Sequence, residues 1–194
     1  ESLVASEYID SVVVSTDSTL IESVANKYGA NVPYLRSEKN SDDFATTYDV
    51  IEEVLAKNNV EYDYICCVYP TSVFVTTEII DKALNVLMSN GQATSIASVL
   101  EYSHPIQRAL KIKEEVLISL QPEYYNQRSQ DLDKAYHDAG QFYIFSPEIV
   151  KNEKKLISSK CIPFIINPNH AQDIDTQEDW DLAELKYRLL NIRF

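Results

Sequence analysis

Glycine is nearly absent from this chain, with three residues in 194. None falls in a Gly-x-Gly-x-x-Gly or Gly-x-x-x-x-Gly-Lys-Ser/Thr run, so the residues present hold no glycine-built dinucleotide or P-loop phosphate cradle. Few glycines and only seven prolines leave no flexible linker or low-complexity tract. No repeat recurs at a solenoid period. Residues 1–194 therefore read as one domain. No apolar run approaches the ~20 residues that cross a bilayer, and nothing reads as a signal peptide.

Positive charge is also scarce. Seventeen Lys and Arg face 30 Asp and Glu, a formal net charge of −13. That balance excludes a general nucleic-acid surface. An anionic substrate would need a local basic cluster or a metal. Three cysteines, Cys66, Cys67 and Cys161, are too few and too oddly spaced for a disulfide framework or a zinc site. They predict buried thiols in a reducing compartment, hence a cytoplasmic protein. His104, His137 and His170 match no zinc spacing and read as polar edge residues.

What is present alternates between short apolar runs and amphipathic stretches. Val12-Val13-Val14 reads as a strand buried on both faces. Ser15-Thr16-Asp17 follows, then a helix capped by Thr19 with Glu22, carrying Leu20, Val24 and Tyr28 on one stripe and ending at Gly29. Val32–Leu35 reads as a second strand, ending at Arg36. A helix beginning at Thr46 or Thr47 carries Val50, Ile51, Val54 and Leu55. Tyr64–Tyr69 is the clearest buried strand and breaks at Pro70-Thr71-Ser72. Thr76 or Thr77 caps a helix whose core side is Ile79, Ile80, Ala83, Leu84 and Leu87. Ala93–Leu100, Ala139–Phe145 and Ile162–Ile166 read as further strands, with Gly140 allowing close backbone approach.

Strands alternating with helices at this spacing predict an α/β fold, a mostly parallel sheet with helices on both faces. Ligands of such sheets bind at the C-terminal strand ends. Those ends bring together Ser15-Thr16-Asp17, Arg36, Tyr69-Pro70-Thr71-Ser72 and, late in the chain, Asp173-Ile174-Asp175. Residues two apart on an extended segment share a face, so Asp173 and Asp175 form a paired carboxylate while Ile174 turns inward. Hard oxygen donors of this kind suit Mg²⁺. The same stretch carries a helix cap, with Thr176 and Asp179 at capping-box spacing. Both readings hold together, because Asp173 is not needed for the cap.

Residues 102–130 break the alternation. Arg108–Ile112 and Val116–Leu120 flank Lys113-Glu114-Glu115 as a hairpin-like insertion, where Arg108, Lys111, Lys113 and Arg128 gather local positive charge. The final helix has two stripes, Trp180-Ala183-Tyr187-Leu190 and Leu182-Leu185-Leu189-Ile192. One suffices to pack on a sheet; the second points to a further subunit, a homodimer.

Taken in order, several segments resemble the cytidylyltransferases that activate nonulosonic acids, of which CMP-sialic acid synthetase is the best known. The resembling segments are Ile9–Ser18, Pro33–Arg36 with Asp42-Asp43, Tyr69–Ser72, and Gln172–Thr176 with Glu178-Asp179-Trp180. Tyr136–Tyr143 and Cys66–Thr71 look most like the pseudaminic acid branch; sialic acid enzymes have Gln in place of Tyr69 and Asn-Gly in place of Ala139-Gly140. The resemblance implies a Rossmann-like nucleotidyltransferase sheet. It implies that the anomeric hydroxyl of the sugar attacks the α-phosphate of CTP, giving CMP-sugar and pyrophosphate for bacterial surface-glycan or flagellin glycosylation. It implies Mg²⁺ on Asp173 and Asp175, with CTP contacts from Arg36, Thr47 and Thr71. It implies a sugar pocket lined by Tyr69, Gln141 and Tyr143, and Arg128 on the sugar carboxylate, which suits a planar guanidinium.

The chain departs from the family in one respect. Members begin with a strand and a basic loop, Ala-Arg-x-Gly-Ser-Lys followed by Lys-Asn, that cradles the triphosphate. No such run is present. The expectation is that the sequence belongs to a longer parent with this unit of roughly 30–40 residues, and that by itself it binds CTP poorly and turns over little. Two other classes compete: a GT-A-type glycosyltransferase using the Asp-x-Asp pair, and a non-catalytic nucleotide-sugar-binding module. A nicotinamide oxidoreductase is disfavoured by the missing glycine fingerprint.

Overall fold

The computed structural model describes residues 1–58 and 61–191. Its centre is a four-stranded sheet. The strands are β1 (Ile65–Val68), β2 (Ser95–Glu101), β5 (Tyr136–Phe145) and β6 (Cys161–Ile165), in the spatial order β1-β5-β2-β6. β2 and β6 pair in parallel, while β5 runs antiparallel to both β1 and β2. Three of the four strands thus share one direction, as the alternating pattern predicts, and β5 is the exception between them. β3 (Leu110–Lys113) and β4 (Val116–Ser119) form a separate hairpin at the expected insertion. Glu114 and Glu115 both have positive φ, 51° and 64°, the geometry of a tight two-residue turn that suits strand twist.

β5 divides the core by simple alternation. Phe142 and Ile144 join Ile96 and the α3 side chains Ile80, Ala83, Leu84 and Leu87, where α3 is Thr77–Ser89. Tyr143 and Phe145 face the other way. They pack with Ala97, with Ile51 of α2 (Thr47–Lys57) and with Ile149 and Val150 of α4 (Pro147–Glu153). Helices therefore cover both faces. Phe142, Ile144 and Phe145, the fully buried apolar side chains of β5, each contribute about 1.5–3 kcal/mol of transfer free energy. α4 is an element that the sequence pattern did not announce; its seven residues are too few for a full apolar stripe.

Helix starts follow local chemistry. Thr46 and Asp49 form a reciprocal capping box on α2, and Thr76 accepts from the backbone N–H of Ile79 on α3. The cap of α1 (Thr19–Lys27) is Ser18, one residue before the Thr19 expected. The α1 stripe does not act as a core face: Leu20 is 79% exposed, and no residue of α1 is buried.

The first two expected strands are corrected. Val12–Val14 makes only a parallel bridge from Val13 to Asn31, and Val32–Leu35 is irregular. Val14 N–H donates to Asn31 O at 2.9 Å and Asn31 N–H to Val12 O at 2.8 Å. The three valines are half-buried, not enclosed, because Asn31 is their only strand-like partner among the described residues. β1 likewise lies at a sheet edge and is half-buried throughout. The cysteines are all free, and burial pushes the Cys66 thiol up to about 12 and Cys67 to about 11, so neither is a thiolate at neutral pH.

Candidate active site

A bulge in β5 builds the site. The pairing of β2 with β5 jumps from Ala97↔Tyr143 to Val99↔Asp138, leaving the chain between Asp138 and Tyr143 out of the ladder. Ser98 Oγ replaces the lost ladder acceptors, taking the N–H of Phe142 at 3.0 Å and of Gln141 at 3.3 Å. Bulges of this kind re-aim side chains beside functional sites. Gly140 sits within it at φ +59°, and a Cβ there would meet nothing within 4 Å. Its glycine is required by backbone conformation and not, as expected from sequence, by close approach.

The bulge forms one wall of a pocket of about 510 Å³ whose lining includes Asp138, Gly140, Tyr143, Ala171, Asp173 and Lys186. Tyr143 Oη donates to Asp138 Oδ2 at 2.6 Å, and Gly140 N–H donates to Asp138 Oδ1 at 2.9 Å. Burial first, then the Asp138 carboxylate, raises the Tyr143 pKa well above that of a free phenol, so it stays a neutral donor. His137 Nδ1 donates to the Asp138 carbonyl at 2.8 Å. Gln141, expected on the pocket surface, lies behind it at 1% exposure. Its Nε2 donates to Ala139 O at 3.1 Å and reaches Gln172 O at 3.5 Å, tying the bulge to the aspartate loop. Its Oε1 is buried without a partner among the described residues.

The segment 171–176 is irregular, yet the expected alternation holds: Asp173 and Asp175 are exposed and Ile174 is half-buried. The cap expected at Thr176 also forms. Thr176 Oγ1 accepts from Asp179 N–H at 3.2 Å, while Asp179 Oδ2 accepts from Thr176 N–H at 3.0 Å, opening α5 (Gln177–Asn191). Asp175 N–H also donates to Asp179 at 3.3 Å, so the cap fixes the backbone beside the paired carboxylates. No group of three or more His, Cys, Asp or Glu forms a metal cluster among the described residues. Asp173 and Asp175 are exposed and take part in no ion pair among the described residues, and their hard oxygen donors are of the chemical type that suits a divalent cation.

None of Arg36, Thr47 and Thr71, the residues expected on the nucleotide, lines this pocket. Arg36 N–H donates to Thr16 O at 2.8 Å, its Nε donates to Ser41 Oγ at 3.2 Å, and its guanidinium lies 4.0 Å from Asp17. Glu53 of α2 accepts from Ser37 and Asn40 and pairs with Lys57 at 2.7 Å, fastening the Arg36 loop to α2. Lys57 first, then Ser37, holds the Glu53 carboxyl down at about 2. Thr47 Oγ1 and Tyr69 Oη are 2.9 Å apart, and the Tyr69 ring meets Tyr143 edge-on at 5.7 Å. Tyr69 thus links Thr47 to the pocket. Thr71 caps the strand-end turn by accepting from Val73 N–H at 2.9 Å, and Ser72 Oγ donates to Gln141 O at 2.7 Å.

Arg128 is not brought to the pocket. It lies exposed on the insertion, its guanidinium bidentate to Asp131 at 2.8 and 3.1 Å. Asp138 and Lys186 were missed as pocket residues. Asp138 stood inside the Tyr136–Tyr143 motif, but only the bulge turns it inward. A second hollow, about 840 Å³, runs along the solvent side of α3 between Lys82 and Gly91 and holds none of these groups.

The cytidylyltransferase family model matches residues 1–163, so the paired aspartates lie beyond that match. The pseudaminic acid cytidylyltransferase of Campylobacter jejuni is 35% identical over 193 residues, covering 97% of this chain and 83% of that protein. The CMP-N,N'-diacetyllegionaminic acid synthase of Legionella pneumophila is 29% identical over 185 residues, covering 90% of this chain and 77% of that protein. Among solved structures, a CMP:2-keto-3-deoxy-manno-octonic acid synthetase complexed with CTP aligns with a TM-score of 0.63 at 13% identity, over 97% of this chain and 84% of that one. A likeness at that identity concerns the fold alone. With a family model across most of its length and relatives aligned almost end to end, the chain belongs to the cytidylyltransferase family.

Proposed function

We propose that the protein transfers a cytidylyl group from CTP to a nonulosonic acid, pseudaminic acid first among them. The anomeric oxygen forms a bond to the α-phosphorus, the bond to the bridging oxygen of the leaving group breaks, and pyrophosphate departs with that electron pair. The hydroxyl proton is lost to solvent. The observation that carries the reading is the shared pocket of Asp173 and Tyr143, tied through Tyr69 to Thr47. The similarity to a pseudaminic acid cytidylyltransferase over 97% of the chain supports the substrate class. Family membership favours this reading over the glycosyltransferase and binding-module alternatives.

Transfer of this kind depends on positioning and charge stabilisation. Mg²⁺ on Asp173 and Asp175 would stabilise charge on the phosphate oxygens. Arg36 and Thr47 hold the nucleotide, and Thr71 orients the strand end between nucleotide and sugar. Tyr143 and Tyr69 present hydroxyls to the sugar side, and Gln141 braces the wall behind them. The remaining edges of β1 and Val12–Val14 pair with no strand among the described residues, and α1 leaves Leu20, Ile21 and Val24 exposed. The apolar face of the β3–β4 hairpin supports a homodimer, in which Arg128 of the insertion reaches the sugar carboxylate of a neighbouring copy. Protonated cysteines fit a cytoplasmic setting, and no helix among the described residues is long and apolar enough to cross a membrane.

The test is pyrophosphate release by the protein with CTP, Mg²⁺ and a panel of pseudaminic, legionaminic, sialic and 3-deoxy-octulosonic acids. Release is expected, fastest with pseudaminic acid. Silence with every acid removes the reading.

A further inference from the structure

Lys186 is the one lysine or arginine among the residues lining the pocket, whose other charged walls are Asp138 and Asp173. It is carried there by packing: Ala183, one helical turn earlier on α5, is buried, and this face of the helix brings Lys186 in with it. Its ammonium donates to Ala171 O at 2.8 Å and to Pro168 O at 3.3 Å. An ammonium has three N–H donors, so these two carbonyls leave one. None of the ion pairs among the described residues includes Lys186. Asp138 is already taken by Tyr143 and Gly140. Burial holds the Lys186 pKa below its ordinary value, as expected for a cation withdrawn from water without a counter-charge.

We propose that Lys186 is the carboxylate anchor of the pocket: held by the carbonyls of Pro168 and Ala171, it presents its remaining N–H to the carboxylate of the acidic sugar. The assignment rests on the reading given under Proposed function and names the group that selects an acid within that site. The bond is charge-assisted. Two fixed carbonyls restrict the ammonium before substrate arrives, which lowers the ordering cost of binding. In a strongly acidic chain this cation makes the pocket attractive to a sugar acid and indifferent to its neutral analogue. A carboxylate has acceptor sites to spare, so Lys186 from within the copy and Arg128 from a neighbour are compatible.

The experiment measures steady-state kinetics of the full-length protein with a nonulosonic acid and with its carboxamide, for wild type, Lys186→Met and Lys186→Gln. Gln keeps neutral N–H donors for the two carbonyls and so guards against a variant that merely fails to fold. Both variants are expected to raise KM for the acid by roughly 10–100-fold, the range of a lost hydrogen bond to a charged group. KM for CTP and KM for the carboxamide should stay within about twofold. An equal rise for acid and carboxamide makes Lys186 a structural clamp and overturns the proposal, as does an unchanged KM for the acid. A wild type active on acids with unaltered variants removes Lys186 alone, whereas a wild type silent on every acid removes the functional reading and this assignment together.

Discussion

β5 and the β3–β4 hairpin are both antiparallel and both rich in apolar side chains, yet they end in opposite environments. Phe142 to Phe145 of β5 are buried between α3 on one face and α2 with α4 on the other. On the hairpin, Leu110, Ile112 and Leu117 share one face, and Ile112 and Leu117 remain 76% and 66% exposed. Pattern decides that a strand forms; neighbours decide whether it is buried. The uncovered face is too apolar to be an ordinary solvent surface, which is why a second copy is its proposed cover.

The two regions respond differently to mutation. The largest effect is expected at the pocket. Asp175→Asn should lower turnover by ~10²-fold or more, the scale for losing one electrostatic stabiliser of a transferring group, with an unchanged circular dichroism spectrum. Near-wild-type turnover would take Asp175 out of the mechanism. Inside β5, Phe142→Ala removes a fully buried ring and should cost about 3–5 kcal/mol of unfolding free energy, read by urea denaturation. On the hairpin, Ile112→Asp should leave thermal stability of the monomer within about 1–2 °C, because an exposed site contributes little. It should instead shift sedimentation from dimer to monomer. A loss of stability as large as that of Phe142→Ala would mean that the hairpin is covered within its own copy.

The smallest effect is a pH dependence at the α2 side. Glu53 has its carboxyl lowered from 4.5 to about 2 by Lys57, Ser37 and Asn40. A depressed folded pKa stabilises above the unfolded value and loses that stabilisation as pH falls through the folded one. Comparing wild type with Glu53→Gln, the stability difference should be full above pH 4.5 and fade toward pH 2. A difference constant across that window would dissociate the network from the Glu53 charge.

Much of this molecule was legible from sequence, for local reasons. The helix starts expected at Thr46 or Thr47 and at Thr76 or Thr77, and the hairpin around Lys113-Glu114-Glu115, are set by neighbours within four residues, and the structure takes Thr46 and Thr76 as the caps and forms the hairpin. The exposure pattern of Asp173-Ile174-Asp175 and the Thr176 cap were equally local. What was not legible depends on distant pairing. Val12–Val14 reads as a buried strand, but burial needs neighbours on both edges, and its described partner is Asn31 alone. The β5 bulge arises from an offset between β2 and β5, which neither segment encodes by itself, so neither the inward turn of Asp138 nor the burial of Gln141 behind the wall could be read from sequence. Lys186 was hidden for the same reason: on a helical pattern it is one charged residue among several.

The central claim is that Asp173 and Asp175 hold the catalytic metal at the rim of the Tyr143 pocket. Crystals of the protein grown with CTP and Mn²⁺ test it through the anomalous signal of the metal. The account predicts a peak within about 2–2.5 Å of carboxylate oxygens from both aspartates, beside the α-phosphate. A peak bound elsewhere, with both carboxylates unligated, contradicts it.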